Sequence, residues 1–412
     1  MFSKVNFHYK ETQRISYILP LVCMILFGIY SLYLFVHYQA DILALTHYMQ
    51  SSVSANSHSF DYTSYPVWTS AFLGTVLCII PAIILYCCVR FPLRMKALAL
   101  FPSYVVLGLI TGISPQSVEA TEIHIPLIPS IILLLLSSLA IVLAQMVHDD
   151  RSEHAPFYTY FSWNVLLMCI GMTFSIFITN KDPQIHTQLA LAKSVYKRDY
   201  VKAMTDFRYG ETTTNKNINA LRVLALSKQK RLADELFTLP HIHGSASLIP
   251  DTVPTMQIYH APEMVYNHIK AIPCGYTDAE VLTFLDKALQ RRMNTLSQPT
   301  ATRCDSIHAR FLIDYYLCAL LLDKKVSTFA SELPKYYIVD TTLPRHYQEA
   351  LMLHQAQDSL SAPIVLNSEM DSLFVHYQTL RTANQHTPHL QRKTCSKAVA
   401  GSYWNYYYFE EI

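Results

Sequence analysis

The stretch "FYTYFSWNVLLMCIGMTFSIFIT" (residues 157–179) contains no Asp, Glu, Lys or Arg. As a helix it reaches the ~20 residues needed to cross a bilayer. A few residues later, "TQLALAKSVYKRDYVKAMTDF" (187–207) returns apolar residues every third or fourth position among charged ones, the pattern of helices with one wet face. The solvent of the chain changes between these two segments, and the rest of the sequence follows that division.

Upstream, four more uncharged apolar stretches read as crossings: 15–36, 68–89, 97–113 and 126–147. With 157–179 they make a five-helix transmembrane region over residues 1–179. All seven of its Lys/Arg fall before the first helix (Lys4, Lys10, Arg14), between the second and third (Arg90, Arg94, Lys96) or between the fourth and fifth (Arg151). The loops 37–67 and 114–125 contain none. By the positive-inside rule the amino terminus is cytoplasmic, and after five crossings the remainder is extracytoplasmic. The first apolar run is longer than a signal peptide's 7–15 residues and reads as an uncleaved anchor. The expected setting is a cell membrane, with the lipid bilayer as one partner. Gln145 and Asn164 are the polar residues of interest inside the spans, and both are expected to bond between helices. Transport usually needs ionisable groups there.

Residues 180–412 carry 25 of the 32 Lys/Arg and 22 of the 30 Asp/Glu. This mild net +3, with no basic block, excludes nucleic acid as an expected partner. The segment reads as paired helices. In 187–207 the turn is Lys197–Asp199; in "NALRVLALSKQKRLADELFTLP" (219–240) it is "KQKR"; in "FLIDYYLCALLLDKKVSTFASELPKYY" (311–337) it is "DKK". Tyr200 and Leu232 stand 32 residues apart, close to the ~34 of tetratricopeptide pairs. Thr277 and Glu280 form a capping box, Pro344 opens a helix, and Ser368 and Asp371 open another. Residues 241–262 and 296–304 read as irregular connections. The fold class expected is therefore all-α, a transmembrane region followed by a degenerate tetratricopeptide-like helical-repeat domain.

Near residue 400 lies "GSYWNYYYF" (401–409). Tyr403, Trp404, Tyr406, Tyr407, Tyr408 and Phe409 form either a cap closing the array, each aromatic burying ~150–250 Å², or an aromatic docking surface for a partner or the bilayer interface.

Several segments resemble a family of bacterial multi-pass integral membrane proteins that have a tetratricopeptide-like carboxy-terminal domain and are classed as a domain of unknown function. They are "HYQADILALTHYM" (37–49), "YKRDYVKAMTDF" (196–207), "LLDKKVSTFASELPKYY" (321–337), "LPRHYQEALML" (343–353) and "GSYWNYYYF". The resemblance implies the architecture and a bacterial inner membrane as its setting, and supplies no catalytic residues.

No GxSxG, P-loop, GxGxxG or HExxH occurs, and nine glycines leave little material for a phosphate-cradling loop. No cofactor, metal or catalytic residue is expected. The histidines His241, His243, His260 and His268 and the acidic turn Asp149, Asp150 and Glu153 lack a complete ligand set at a recognised spacing. Cys274, Cys304, Cys318 and Cys395 form no CxxC pair, and an extracytoplasmic domain admits one disulfide, Cys274 to Cys304. The expected function is a scaffold or assembly protein binding another cell-envelope protein on the concave face of the array. The alternative is a membrane-bound enzyme of envelope polymer or lipid metabolism, or an accessory subunit of one, with Asp41, Asp61, Glu119, Glu122 and His124 as its candidate residues.

Overall fold

The computed structural model describes residues 2–40, 67–112, 114–115, 123–124, 127–146, 157–179, 183–205, 216–239, 244–250, 261–271, 277–296, 303–357, 368–383 and 385–410. Among the described residues the chain is all-α apart from one antiparallel bridge, β1 (Ser114–Pro115) with β2 (Ile123–His124). It divides into two compact units, Met1–His186 and Thr187–Ile412.

In the first unit a helix forms at each apolar stretch: α1 (Phe2–Tyr33), α2 (Val67–Cys88), α3 (Phe101–Thr111), α4 (Leu127–Met146) and α5 (Phe157–Ile178). Among the described residues, Ser16–His37, Trp68–Cys88, Leu93–Thr111 and Phe157–Ile178 are long and apolar enough to cross a membrane. Ile29, Leu73, Ile84, Ile128 and Phe177 are exposed. In water such a belt would be an aggregation hazard, and it is compatible with membrane insertion.

Hydrogen bonds give the helix directions. Ser31 Oγ donates to Thr75 Oγ1 (3.4 Å) and Tyr86 OH to the Ser16 carbonyl (3.1 Å), so α1 and α2 are antiparallel. Tyr30 OH lies 2.8 Å from Ser175 Oγ, and Thr111 Oγ1 lies 3.0 Å from Thr179 Oγ1. The late ends of α1, α3 and α5 therefore meet. Consecutive crossings of one bilayer require this alternation.

The third span is the centre of the unit: 56% of it is buried, against 39%, 22% and 28% of the other three. It starts earlier than the sequence predicts, at Leu93 rather than residue 97, as a 3-10 segment (Leu93–Leu100) that takes in Arg94 and Lys96. Met95 departs from helical geometry there (φ −124°, ψ 19°). The reason lies on α5. The Asn164 carboxamide accepts from the Ala97 amide (2.6 Å) and donates to the Leu93 carbonyl (2.9 Å) and the Tyr160 carbonyl (2.7 Å). Ala97 N–H and Leu93 C=O are the pair that a regular α-turn would join, so the side chain of one helix bridges the backbone of another. Below it, Tyr104 lies edge-on to Phe27 (ring centroids 5.0 Å apart) and fits only because residue 171 is glycine. A Cβ there would stand 2.3 Å from the Tyr104 ring.

In the second unit short helices follow one another, three pairs of them across tight turns. They are α6 (Pro183–Tyr196), α7 (Tyr200–Thr205), α8 (Lys216–Lys228), α9 (Leu232–Glu235), α10 (Ala261–Ile269), α11 (Val281–Leu296), α12 (Arg303–Leu322), α13 (Val326–Glu332), α14 (Arg345–Gln357), α15 (Ser368–Ala383), α16 (Pro388–Ala398) and α17 (Tyr403–Phe409). Short 3-10 turns follow α9 (Leu236–Thr238) and α13 (Leu333–Lys335). The turns at 198, 230 and 324 share one geometry: Arg198, Lys230 and Lys324 take left-handed φ values of 60°, 60° and 55°. In each, the following amide reaches back five residues, Asp199 to Ser194, Arg231 to Leu226 and Lys325 to Leu320. This is the Schellman closure, which glycine usually occupies.

Within the expected connection 241–262, residues 244–250 and the start of α10 are described, and part of it is regular. Gly244–Leu248 forms a buried 3-10 turn, where the Asp323 carboxylate takes the Ser245 amide at 2.9 Å. Phe237 meets Tyr403 at 4.9 Å, so the early and late helices of this unit touch.

Replacing Asn164 by Leu leaves two buried backbone groups without the carboxamide. We expect a loss of about 1–2 kcal/mol, read as a lower unfolding midpoint of the full chain in detergent; an unchanged midpoint would show that the bridge stabilises nothing.

Candidate functional site

Two arrangements in the second unit hold functional-looking side chains: the aromatic helix α17, and the loop between the 3-10 turn at 333–335 and α14.

Tyr403, Trp404 and Tyr406 are buried, while Tyr407, Tyr408 and Phe409 are half-buried. Gly401, at φ +65°, turns the chain into the helix, and a side chain there would also press on Thr238. Ser402 caps α17 by accepting from the Asn405 amide (3.3 Å). The buried face packs on Phe237 through Tyr403 and Tyr406 and on Phe374 through Trp404, all at 4.9 Å. Tyr406 OH donates to the Leu322 carbonyl (2.6 Å). On the wet side, Tyr407 OH accepts from Gln357 (3.1 Å), and Arg381 stands 3.9 Å from the centre of the Tyr408 ring.

Beneath α17 lies Glu349, fully buried. Its carboxylate accepts from Arg345 Nε (2.8 Å) and from the Tyr403 amide (2.7 Å), and His346 Nδ1 is 2.9 Å away. The Phe237 amide donates to His346 Nε2 (3.4 Å). That nitrogen must accept, which places the imidazole proton on Nδ1, toward Glu349.

The loop is built on Asp314 of α12. Tyr337 and Tyr347 both donate their hydroxyls to its Oδ1, the latter at 3.1 Å. Arg310 stands 5.6 Å from the Tyr337 ring centre. The residue keeps some exposed surface, but its carboxylate is enclosed. Burial raises the Asp314 carboxyl above the ordinary 3.8; the two tyrosine bonds and Arg310 oppose this, and Asp234 adds to it. Burial also pushes both tyrosines up, so they stay protonated donors. Cys318, 3.8 Å from Tyr347 OH, is held as a thiol by the same burial. The far side of the loop is fixed by Asp340, which accepts from the Thr342 amide (2.8 Å), and by Gln348, which donates to the Leu343 carbonyl (2.6 Å). Between these anchors Ile338 is 82% exposed.

The sequence does not single out Ile338. Its signal is the non-periodic "YYIVDTTLP" (336–344) between two helices. Of the sequence-derived residues, His268 is a core histidine, 2.8 Å from Ser227 Oγ and packed on Phe311. Cys318 and Cys395 are buried free thiols. Asp41, Asp61, Glu119, Glu122, Asp149, Asp150, Glu153, His241, His243, His260 and Cys274 lie outside the described residues. His124 and Cys304 are placed only as members of β2 and α12.

Residues 305–410 match a family of unknown function, DUF6057. That match contains Asp314, Ile338, Glu349 and α17. No curated protein and no solved structure matches the chain.

Because the folded pKa of Asp314 lies above its unfolded value, the folded state holds the extra proton. This contribution to stability falls as pH rises from 3.8 through the folded pKa. Asp314→Asn removes that dependence. Chemical denaturation of both proteins at pH 4 and pH 7 should find the variant faring better, relative to the wild type, at pH 7; an equal difference at both pH values would contradict the assignment.

Proposed function

We propose that the protein is a membrane-anchored helical scaffold or assembly factor that docks another cell-envelope protein. The supporting observation is Ile338, an isoleucine held out to solvent by a loop anchored on both sides. Ordering a loop on binding costs free energy, and a preformed loop avoids most of that cost. An exposed aliphatic residue on a rigid support is the form that interface anchors take. In this reading the amino terminus is cytoplasmic, the five helices span a bacterial inner membrane, and the helical-repeat unit stands outside it. The charge pattern of the loops supports that orientation.

A photo-crosslinking residue at position 338 in native membranes should give one discrete adduct with an envelope protein. Ile338→Asp should abolish co-purification of that protein while leaving the unfolding midpoint unchanged. Adducts absent at 338, or binding unaffected by the aspartate, would remove the loop from any interface. Separately, a phosphatase fused after residue 410 should be active; an inactive phosphatase beside a bright cytoplasmic fluorophore fusion would reverse the orientation.

A further inference from the structure

Three helices of the second unit end alike. After α6, α8 and α10 the chain turns through Arg198, Lys230 and Lys270, with φ of 60°, 60° and 55°. Two hydrogen bonds gather these ends. Gln229 Nε2 donates to the Tyr200 carbonyl (2.8 Å), joining the turn after α8 to the one after α6. Ser227 Oγ and His268 Nε2, 2.8 Å apart, join the last turn of α8 to that of α10. Lys228, at the end of α8, is thereby brought near enough to Arg198 and Lys270 for both charges to act on it, and all three residues are exposed. Partial loss of water lowers its pKa from the ordinary 10.5, and the charges of Arg198 and Lys270 lower it further.

The neighbouring carboxylates are committed elsewhere. Asp199 accepts from the Lys202 amide, Asp234 from the Arg345 amide, and Glu235 pairs with Arg231. Among the described residues, no carboxylate pairs with Arg198, Lys228 or Lys270. Each helix carboxyl end carries about −0.5 charge, so three ends offset only about half of three cations. The surplus is about +1.5, and it is unchanged when Lys197 and Lys230 are set against Asp199 and Asp234, whose charges are not cancelled by their backbone amide donors. A phosphate monoester carries about −1.5 to −2, and lysines bind phosphate as point charges.

We propose that the edge formed by Arg198, Lys228 and Lys270 binds a phosphate group. A carboxylate, with a single charge, would leave part of the surplus in place. The group belongs either to a soluble phosphate compound or to a lipid headgroup, and the site is independent of the Ile338 loop.

The test uses the full chain in neutral detergent with two probes, inorganic pyrophosphate and a water-soluble short-chain phosphatidic acid, whose headgroup is a phosphate monoester. Binding is read by phosphorus NMR line broadening and by the unfolding midpoint, for wild type, Lys228→Gln and Lys270→Asn, the last chosen because Asn tolerates the left-handed turn. At least one probe should raise the wild-type midpoint, with affinity about fivefold weaker in each variant. Without probe, Lys228→Gln should unfold at or above the wild-type temperature, since it relieves repulsion. A response to pyrophosphate assigns a soluble phosphate, and a response to the phospholipid alone assigns a headgroup. No response to either probe, equal responses in wild type and variants, or a lowered midpoint for Lys228→Gln without probe would overturn the proposal. So would a glutamate-rich peptide that binds in the same variant-dependent way while both phosphates are silent.

Discussion

The buried carboxylate of Glu349 is the constraint on which the second unit depends. An ion that cannot reach water must be met by donors inside the protein, and Glu349 is met by Arg345, His346 and the Tyr403 amide. The last of these fixes where α17 begins and sets a negative charge at its amino end, where the helix dipole favours it. The Glu349 carbonyl also takes the Trp404 indole N–H at 2.8 Å. With two successive residues tied to one position of α14, the aromatic faces of α17 fall on Phe237, Phe374 and Tyr377. Leaving a buried charged group short of one donor costs about 1–3 kcal/mol or more, a large share of a domain's stability.

The first unit solves a different problem. Apolar surface gives little drive for helix association in lipid, so packing and interhelical hydrogen bonds must supply it. Tyr30, Ser31, Thr111, Ser175 and Thr179 bond where the late ends of α1, α3 and α5 meet. Asn164 acts at the opposite end of α3, and Gly171 lets α5 approach Tyr104.

What was legible in the sequence is what depends on neighbours along the chain. Uncharged runs gave the spans, apolar spacing gave the helices, and "KRD", "KQKR" and "DKK" gave the turns at 198, 230 and 324. What was not legible depends on partners far away. Nothing near residue 93 announces that Asn164 will open a helical turn there. "GSASL" (244–248) looks like a loop until Asp323 supplies its hydrogen bond. Asp314 sits in an apolar helix as an unremarked acid, and only folding brings Tyr337 and Tyr347 to it. By spacing alone the aromatic run at 403–409 suits either a cap or a docking surface. The structure gives it a buried face and a half-exposed one, and its buried face reaches Phe237, a contact that no spacing rule supplies.

That contact bears on the order of events at the ribosome. Phe237 emerges long before Tyr403 and Tyr406, the aromatic residues that cover it. While the intervening helices are being made, Phe237, Phe374 and the Glu349 carboxylate all lack their final neighbours. A nascent chain of this protein thus carries unfinished surface through most of the synthesis of its second unit, and a transcript cut short before codon 403 would yield a product that folding chaperones and proteases recognise as incomplete.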